Sequence, residues 1–374
     1  MKKIESLIEN IDNQIIKIRT KNLDISFNEM YDMYQNGELI ISPEYQRLFR
    51  WEEDKQSRFI ESLILEMPVP PIFVIERQDG IYELIDGLQR ISSYLHYRGE
   101  EIDTIEESDE NYTENKSKRF KLIGCDIVPE LNGLIFDELP KALQIKLKRS
   151  FIRMEVIKKE SETTLKYHMF KRLNTGGELL SAQEIRNCTI RLLGSKGIDF
   201  IDQCANDENF KSVIKRIGKD KFKRKYDQEL VLRFFAIKND LENYKYPVTE
   251  YLTRYLEKIT DKQVKFNYAR EYKIFSKTFK FINDCFGEEA FSGKAASGTM
   301  RNEFVLYYYD GIAVSIAKLI DDINLSNDSE HIINCINKIK FGSDIRPFIT
   351  GSLNGIKNRI RIFTEGMEKI LGSR

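Results

Sequence analysis

The stretch Ile72-Phe73-Val74-Ile75-Glu76-Arg77-Gln78-Asp79-Gly80-Ile81-Tyr82-Glu83-Leu84-Ile85-Asp86-Gly87-Leu88-Gln89-Arg90-Ile91 decides how the first half of the chain folds. Four apolar residues, Ile72 to Ile75, give a strand. Asp79-Gly80 is a hairpin-turn signal, and Ile81 to Ile85 is the returning strand. A helix starts near Asp86-Gly87. The free N–H groups at such a helix start, reinforced by the helix dipole, form an anion site. Gly87 lets a phosphate approach the backbone with no Cβ in the way. Arg90, one turn in, can grip phosphate oxygens with two N–H groups. Asp86 can orient Arg90 or hold a magnesium ion through water. The same residues also have a purely structural reading, with Asp86 as N-cap, Gly87 as relief for a tight turn and Arg90 as a surface charge.

Working outward, Met67-Pro68-Val69-Pro70-Pro71 ends a preceding helix that is expected from about Glu52 to Glu66. Its apolar stripe is Phe59, Ile60, Leu63 and Ile64. Before that helix lies Pro43-Glu44-Tyr45-Gln46-Arg47-Leu48-Phe49-Arg50-Trp51, dense in aromatic and guanidinium groups. Trp51 and Phe49 read as core anchors. Arg47 and Arg50, beside Gln46 and Tyr45, are poor core material and read as contacts to a phosphate or a base. Nearer the start, Ser26 or Asn28 can cap a short helix carrying Met30, Tyr31 and Tyr34. Glu38 to Ile41 reads as a short strand.

Downstream, eight acidic residues between Glu100 and Glu114 mark an exposed insertion. Strands are expected at Phe120–Val128 and Phe151–Ile157. From about Ser161 the spacing of apolar residues is helical, over Leu165–Leu173, Ser181–Leu193, Gln228–Lys238, Glu250–Lys258, Phe304–Ile320 and Ile356–Leu371. The predicted class is α+β: a head over residues 1–160 with a small mixed sheet, followed by an all-α helical body over residues 161–374. In the body, Phe170-Lys171-Arg172-Leu173-Asn174-Thr175-Gly176-Gly177 ends one helix. Ser181 caps the next, with Glu184 at the capping-box position. Arg172 and Asn174 stand at the exposed helix end.

Zero net charge excludes a uniformly basic DNA coat, though not a local basic groove. Eight basic residues do cluster between Lys211 and Lys225, among them Lys221, Lys223 and Arg224, with Phe222 and Tyr226 interleaved. The cluster reads equally as a phosphate-backbone footprint and as a lysine-rich connector. Five scattered cysteines argue against a disulfide framework or a zinc site. Without a membrane-length apolar run or a signal-peptide pattern, the expected setting is the cytoplasm and no membrane. His96, His168 and His331 are the only histidines, and none stands where a His-Asn-His nuclease would need it.

In order and spacing, four segments resemble the GmrSD-type N-terminal domain family, a relative of ParB-like and sulfiredoxin-like folds. They are Pro43 to Trp51, Pro68 to Pro71, Asp86 to Arg90, and Phe170 to Ser181, and together they span roughly the first half of the chain. The resemblance implies a ParB/sulfiredoxin-like head that binds a nucleotide, GTP or ATP, with magnesium. In studied relatives it also implies NTP hydrolysis coupled to restriction of foreign DNA, and so a phage-defence or restriction role. Carried over by residue, Asp86, Gly87, Gln89 and Arg90 become the phosphate site, with Asp86 and Arg90 as the catalytic candidates. Gln46 and Arg47 become partners across the cleft, and Asn174 faces the ligand from the opposite side. Leu88 departs from the family, which has a glutamine there, and leucine cannot orient water.

The rival readings are a DNA-binding adaptor or antitoxin-like partner without turnover, and a nuclease using Asp86 and Glu83 around a metal. Nucleotide and DNA are the implied partners, together with a separate nuclease or effector protein and a homo-oligomeric assembly.

Overall fold

A computed structural model of the chain describes residues 2–15, 19–46, 49–100, 119–161, 169, 172–173, 181–191, 193–261, 264–295, 299–323 and 325–372. It falls into two compact units, Met1–Leu180 and Ser181–Arg374.

The first unit is a mixed α/β fold. Helix α1 (Lys2–Ile15) and strand β1 (Thr20–Ser26) come first. Ser26, rather than Asn28, caps α2 (Phe27–Gln35): its hydroxyl accepts from the Glu29 N–H at 3.0 Å. Then follow β2 (Leu39–Ile40), a single turn α3 (Pro43–Gln46) and α4 (Glu53–Ile64). Helix α4 stops short of Glu66 because that residue turns left-handed, at φ 58°, ahead of the prolines. The hairpin β3 (Ile72–Glu76) and β4 (Tyr82–Asp86) leads into α5 (Leu88–Tyr97), and α6 (Lys141–Arg149) precedes β5 (Phe151–Ile157).

The five strands form one sheet in the order β1-β5-β3-β4-β2. β1 runs antiparallel to β5, and β3 antiparallel to β4. β5–β3 and β4–β2 are parallel pairs, which makes the sheet mixed. β5 alternates as its sequence does: Ile152, Met154 and Val156 are buried while Phe151 and Arg153 are exposed. On the open face Arg153 forks onto the Asp24 carboxylate of β1 at 3.0 and 3.2 Å. The core gathers Phe27 and Met30 of α2, Ile60 and Leu63 of α4, Ile91 and Tyr94 of α5, and Leu147 of α6. Each such side chain, once buried, contributes about 1.5–3 kcal/mol.

Phe120–Val128 is not a strand. Its backbone donors go to helix α4 and to a local turn instead of a neighbouring strand. Ile123 N donates to the Ser57 hydroxyl at 2.9 Å. Ile127 N and Val128 N both donate to the Glu61 carboxylate, at 3.1 and 2.7 Å. Alternating apolar residues produced an extended segment there, but fully buried Ser57 and Glu61 outcompete a strand partner.

The second unit is helical: α7 (Ala182–Ile190), α8 (Lys196–Ala205), α9 (Glu208–Val213), α10 (Lys219–Lys223), α11 (Tyr226–Asp240), α12 (Val248–Thr260), α13 (Tyr268–Phe286), α14 (Leu306–Leu319), α15 (Leu325–Phe341) and α16 (Leu353–Leu371). The capping box at the start of α7 is present: Ser181 accepts from Glu184 N, and Glu184 accepts from Ser181 N. α11 from Leu230 to Ile237 and α14 are buried on nearly every side.

Within that apolar packing Asp310 of α14 meets two guanidinium groups. Arg233 binds it through Nε and Nη2 at 2.6 and 2.7 Å, and Arg359 through Nη2 at 2.6 Å. Burial alone would raise the Asp310 carboxyl, but Arg233 and Arg359 outweigh it and hold the group below its ordinary value. Asp310→Ala leaves two buried cations without a counter-ion, so it lowers the stability of this unit by about 3–5 kcal/mol. Urea unfolding followed by far-UV circular dichroism measures this. In the parent, the Asp310 contribution is complete above the unfolded carboxyl pKa of about 3.9 and is lost as the pH falls through the lower folded value.

Candidate functional site

Strand β4 ends at Asp86, whose Cα partner across the hairpin is Phe73, and α5 begins two residues later. Gly87, between them, is the N-cap, at φ 103° and ψ 11°. The structural alternative that made Asp86 the cap is therefore corrected: the left-handed turn puts the glycine there. Two constraints fix Gly87. Its φ is one that side-chain-bearing residues rarely adopt, and a Cβ there would lie 2.4 Å from Ile72 Cγ2. The glycine is required by the strand behind it whether or not a ligand approaches in front. The N-cap supplies no side-chain acceptor, so α5 starts without a side-chain cap.

Arg90 is locked from two directions. Its Nη2 donates to the Pro71 carbonyl at 2.9 Å and to Asp86 Oδ2 at 3.2 Å. Among the described residues its Nε is buried without a hydrogen-bond partner. The arginine side chain is 17% exposed and that of Asp86 31%, so the pair is partly open to solvent. Asp86 thus orients Arg90, the first of the two roles its sequence position suggests. Leu88 is only 4% exposed, so its position is one of packing.

The aromatic segment before α4 docks onto the same strand–helix junction. Buried Tyr45 donates its hydroxyl to the Ile85 carbonyl at 3.1 Å. Gln89 Oε1 accepts from two successive backbone N–H groups, Arg50 N at 2.9 Å and Trp51 N at 3.0 Å. The Trp51 carbonyl accepts from Gln56 Nε2 at 2.7 Å. Phe49 is buried in the core as expected, whereas Trp51 is half-buried at its edge and sits edge-on to Phe59 at 5.9 Å. Gln46, half-buried, closes the single turn α3.

Arg47 and Asn174 lie outside the described residues, as does His168. Asp86, Gly87, Gln89 and Arg90 are brought together at one helix start. Arg172 is exposed. In the second unit Lys221, Lys223 and Arg224 are exposed, and Lys221 Nζ stands 5.2 Å from the Tyr226 ring centre. The Arg224 carbonyl accepts from the Ser181 hydroxyl. Not all of the basic run faces outward: Arg216 is spent on Glu288, Glu289, Ser292 and the Arg301 carbonyl.

Among the described residues no group of three or more His, Cys, Asp or Glu side chains is placed to hold a metal. The register of β4 against β3 shifts between Leu84 and Asp86, so alternation does not separate Glu83 from Asp86. No third metal-ligating side chain joins them among the described residues. All five cysteines are free thiols; burial pushes Cys125 up to about 11 and Cys204 higher still, as suits packing groups.

Sequence reasoning missed the support behind this junction. His96 Nδ1 lies 2.9 Å from Gln56 Oε1, and its ring stacks on Phe120 at 4.7 Å. A chain of contacts thus runs from His96 through Gln56 and Trp51 to Gln89. The signal available was spacing, since His96 follows Gln89 by two turns on the same helix. Burial holds the His96 imidazole below its usual 6.5. The unfolded chain therefore binds this proton more readily than the folded one. The resulting stability is complete above about pH 6.5 and falls as the pH drops below it, by up to about 1.4 kcal/mol per pH unit. Denaturation of the parent and His96→Gln at pH 7.5 and 5.0 checks this: the variant loses that part of the acid sensitivity.

Among the described residues no helix is long and apolar enough to cross a membrane. No curated protein matches the chain, and no solved structure matches it. Residues 27–191, which begin at α2 and run past the Ser181 cap, match the family model of the GmrSD restriction endonuclease N-terminal domain.

Proposed function

We propose that this chain is a nucleoside triphosphate-binding component of a restriction or phage-defence system, with the phosphates held at the start of α5. The family match over residues 27–191 supports the restriction setting. The observation that carries the binding site is the α5 start itself. It has a glycine N-cap that offers no side-chain acceptor, and an arginine one turn in whose Nε is buried without a partner among the described residues. Helix-start N–H groups and a guanidinium are what a polyphosphate needs, and the helix dipole adds to both. In this reading the head is ParB/sulfiredoxin-like, the nucleotide is GTP or ATP, and Asp86 keeps a partly exposed carboxylate toward magnesium waters.

Hydrolysis, where it occurs, rests on positioning and charge neutralisation by Arg90 and Asp86. The leucine at position 88 bears less on this than its chemistry implies, because it is packed inside. Gln46, Arg47 and Asn174 are the further contacts of this reading. The protein works in the cytoplasm with DNA and a separate nuclease or effector, as a homo-oligomer.

Calorimetry and thermal shift with ATP and GTP, each with magnesium, test the reading on the parent, Arg90→Ala and Arg90→Lys. Arg90→Ala weakens binding roughly tenfold or more, and Arg90→Lys recovers only part, since lysine lacks the planar fork. Absence of binding by either nucleotide overturns it. Phosphate release then separates turnover from binding alone.

A second reading, an adaptor that binds DNA without turnover, is favoured by one observation: Lys221, Lys223 and Arg224 are exposed together on and beside α10. Replacing all three by glutamate weakens duplex binding and flattens its log–log salt dependence by about 0.9 for each phosphate no longer neutralised. Unchanged binding in a filter or fluorescence-anisotropy assay removes this segment from any DNA interface.

A further inference from the structure

We propose that Gln89 is a positioning residue, one that ties the aromatic segment Phe49–Trp51 to the start of α5 and so couples phosphate occupancy there to the setting of that segment. The inference rests on the proposed phosphate site and gives Gln89 a role beyond ligand contact.

Hydrogen-bonding capacity assigns this role. A glutamine side-chain oxygen has two lone pairs, and both are used here, by Arg50 N at 2.9 Å and Trp51 N at 3.0 Å. That oxygen is committed to the segment, whatever the Nε2 group of the same side chain meets. The backbone of Gln89, by contrast, is the second residue of α5 and carries one of the helix-start N–H groups. One residue thus presents its main chain toward the anion and its side chain toward the segment.

The segment is held at two points, with Tyr45 anchored just before it. Gln89 takes the N–H groups of Arg50 and Trp51, Gln56 of α4 takes the Trp51 carbonyl, and the Tyr45 hydroxyl reaches the Ile85 carbonyl at the end of β4. Arg50 therefore leaves a backbone whose position is set by Gln89, and any shift of the first turn of α5 carries Arg50 and Trp51 with it. Trp51 is the only tryptophan of the chain, so it reports on this tie directly.

The experiment reads Trp51 emission and acrylamide quenching in the full chain, with magnesium–ATP as the probe. Without nucleotide, Gln89→Leu is expected to red-shift the emission and at least double the quenching constant. Gln89→Glu, which keeps an acceptor oxygen for both N–H groups, returns both toward parent values. With nucleotide, the parent's Trp51 signal changes on a titration that calorimetry confirms as binding. Gln89→Leu still binds but its tryptophan no longer responds. Parent-like quenching in Gln89→Leu, or a parent-like response to ATP, overturns the proposal.

If calorimetry shows no ATP binding to the parent, the phosphate reading fails. The nucleotide-free arm still decides whether Gln89 holds the segment. Should Gln89→Leu not fold, hydrogen exchange in the parent decides instead. Slow exchange at the Arg50 and Trp51 amides, which lie outside any helix or strand, is the expected result. Exchange at free-chain rates overturns the tie.

Discussion

Ile72 approaches the Gly87 backbone so closely that a Cβ on residue 87 would lie 2.4 Å from the isoleucine Cγ2. The isoleucine opens β3 and is fully buried, and its Cα partner across the parallel pairing is Met154 of β5. Its methyl group occupies the space where any side chain on residue 87 would begin. This close approach lets β4 turn sharply into α5, drops Arg90 beside the Pro71 carbonyl and the Asp86 carboxylate, and brings Gln89 within reach of residues 50 and 51. The strand order matters to the site because β5, from the far end of the unit, backs the β3 residue that dictates the turn. A steric fact in the sheet thus becomes an electrostatic arrangement at the helix start.

The hairpin, α5, β5 and the capping box at Ser181 were legible in the sequence because each has a strong local signal: a turn dipeptide, strict alternation, or a cap with its partner three residues on. β1 was not, for Thr20-Lys21-Asn22-Leu23-Asp24-Ile25-Ser26 is mostly polar and exists only because β5 pairs with it. α13, with lysines and aromatics interleaved, hid its buried face of Phe275, Phe279 and Ile282 in a mixed composition. The error at Phe120–Val128 has the opposite cause. Alternation there was real, but whether an extended segment becomes a strand depends on which acceptors lie nearby, and that is a tertiary property.

For the site, residue types were legible and roles only in part. Arg90 and Asp86 read correctly as a pair because they are four apart across a turn. Gln89 entered the phosphate site through the family resemblance, and its structural tie is a separate matter. Its engagement with the amides of residues 50 and 51 spans about forty positions of sequence and no local pattern announces it. The helical unit spends polarity differently. Its buried arginines, Arg186, Arg233 and Arg359, are each surrounded by acceptors, so charge inside α7, α11 and α16 serves to fix how those helices meet.

The pairing of β1 with β5 has a consequence for how the protein is made. Asp24 and Arg153, which face each other across that pair, lie 129 residues apart. A ribosome adding ~5–20 residues per second needs on the order of ten seconds to deliver β5 after β1 has emerged. Throughout that interval β1 has no strand to pair with, and Ile72 has no β5 behind it to press against Gly87. The nascent head stays an unfinished sheet with open edges, the kind of surface that holdase chaperones recognise. Truncations before residue 151 therefore leave Ile72 and the turn at Gly87 without the strand that backs them, however complete the Asp86–Arg90 motif looks on paper.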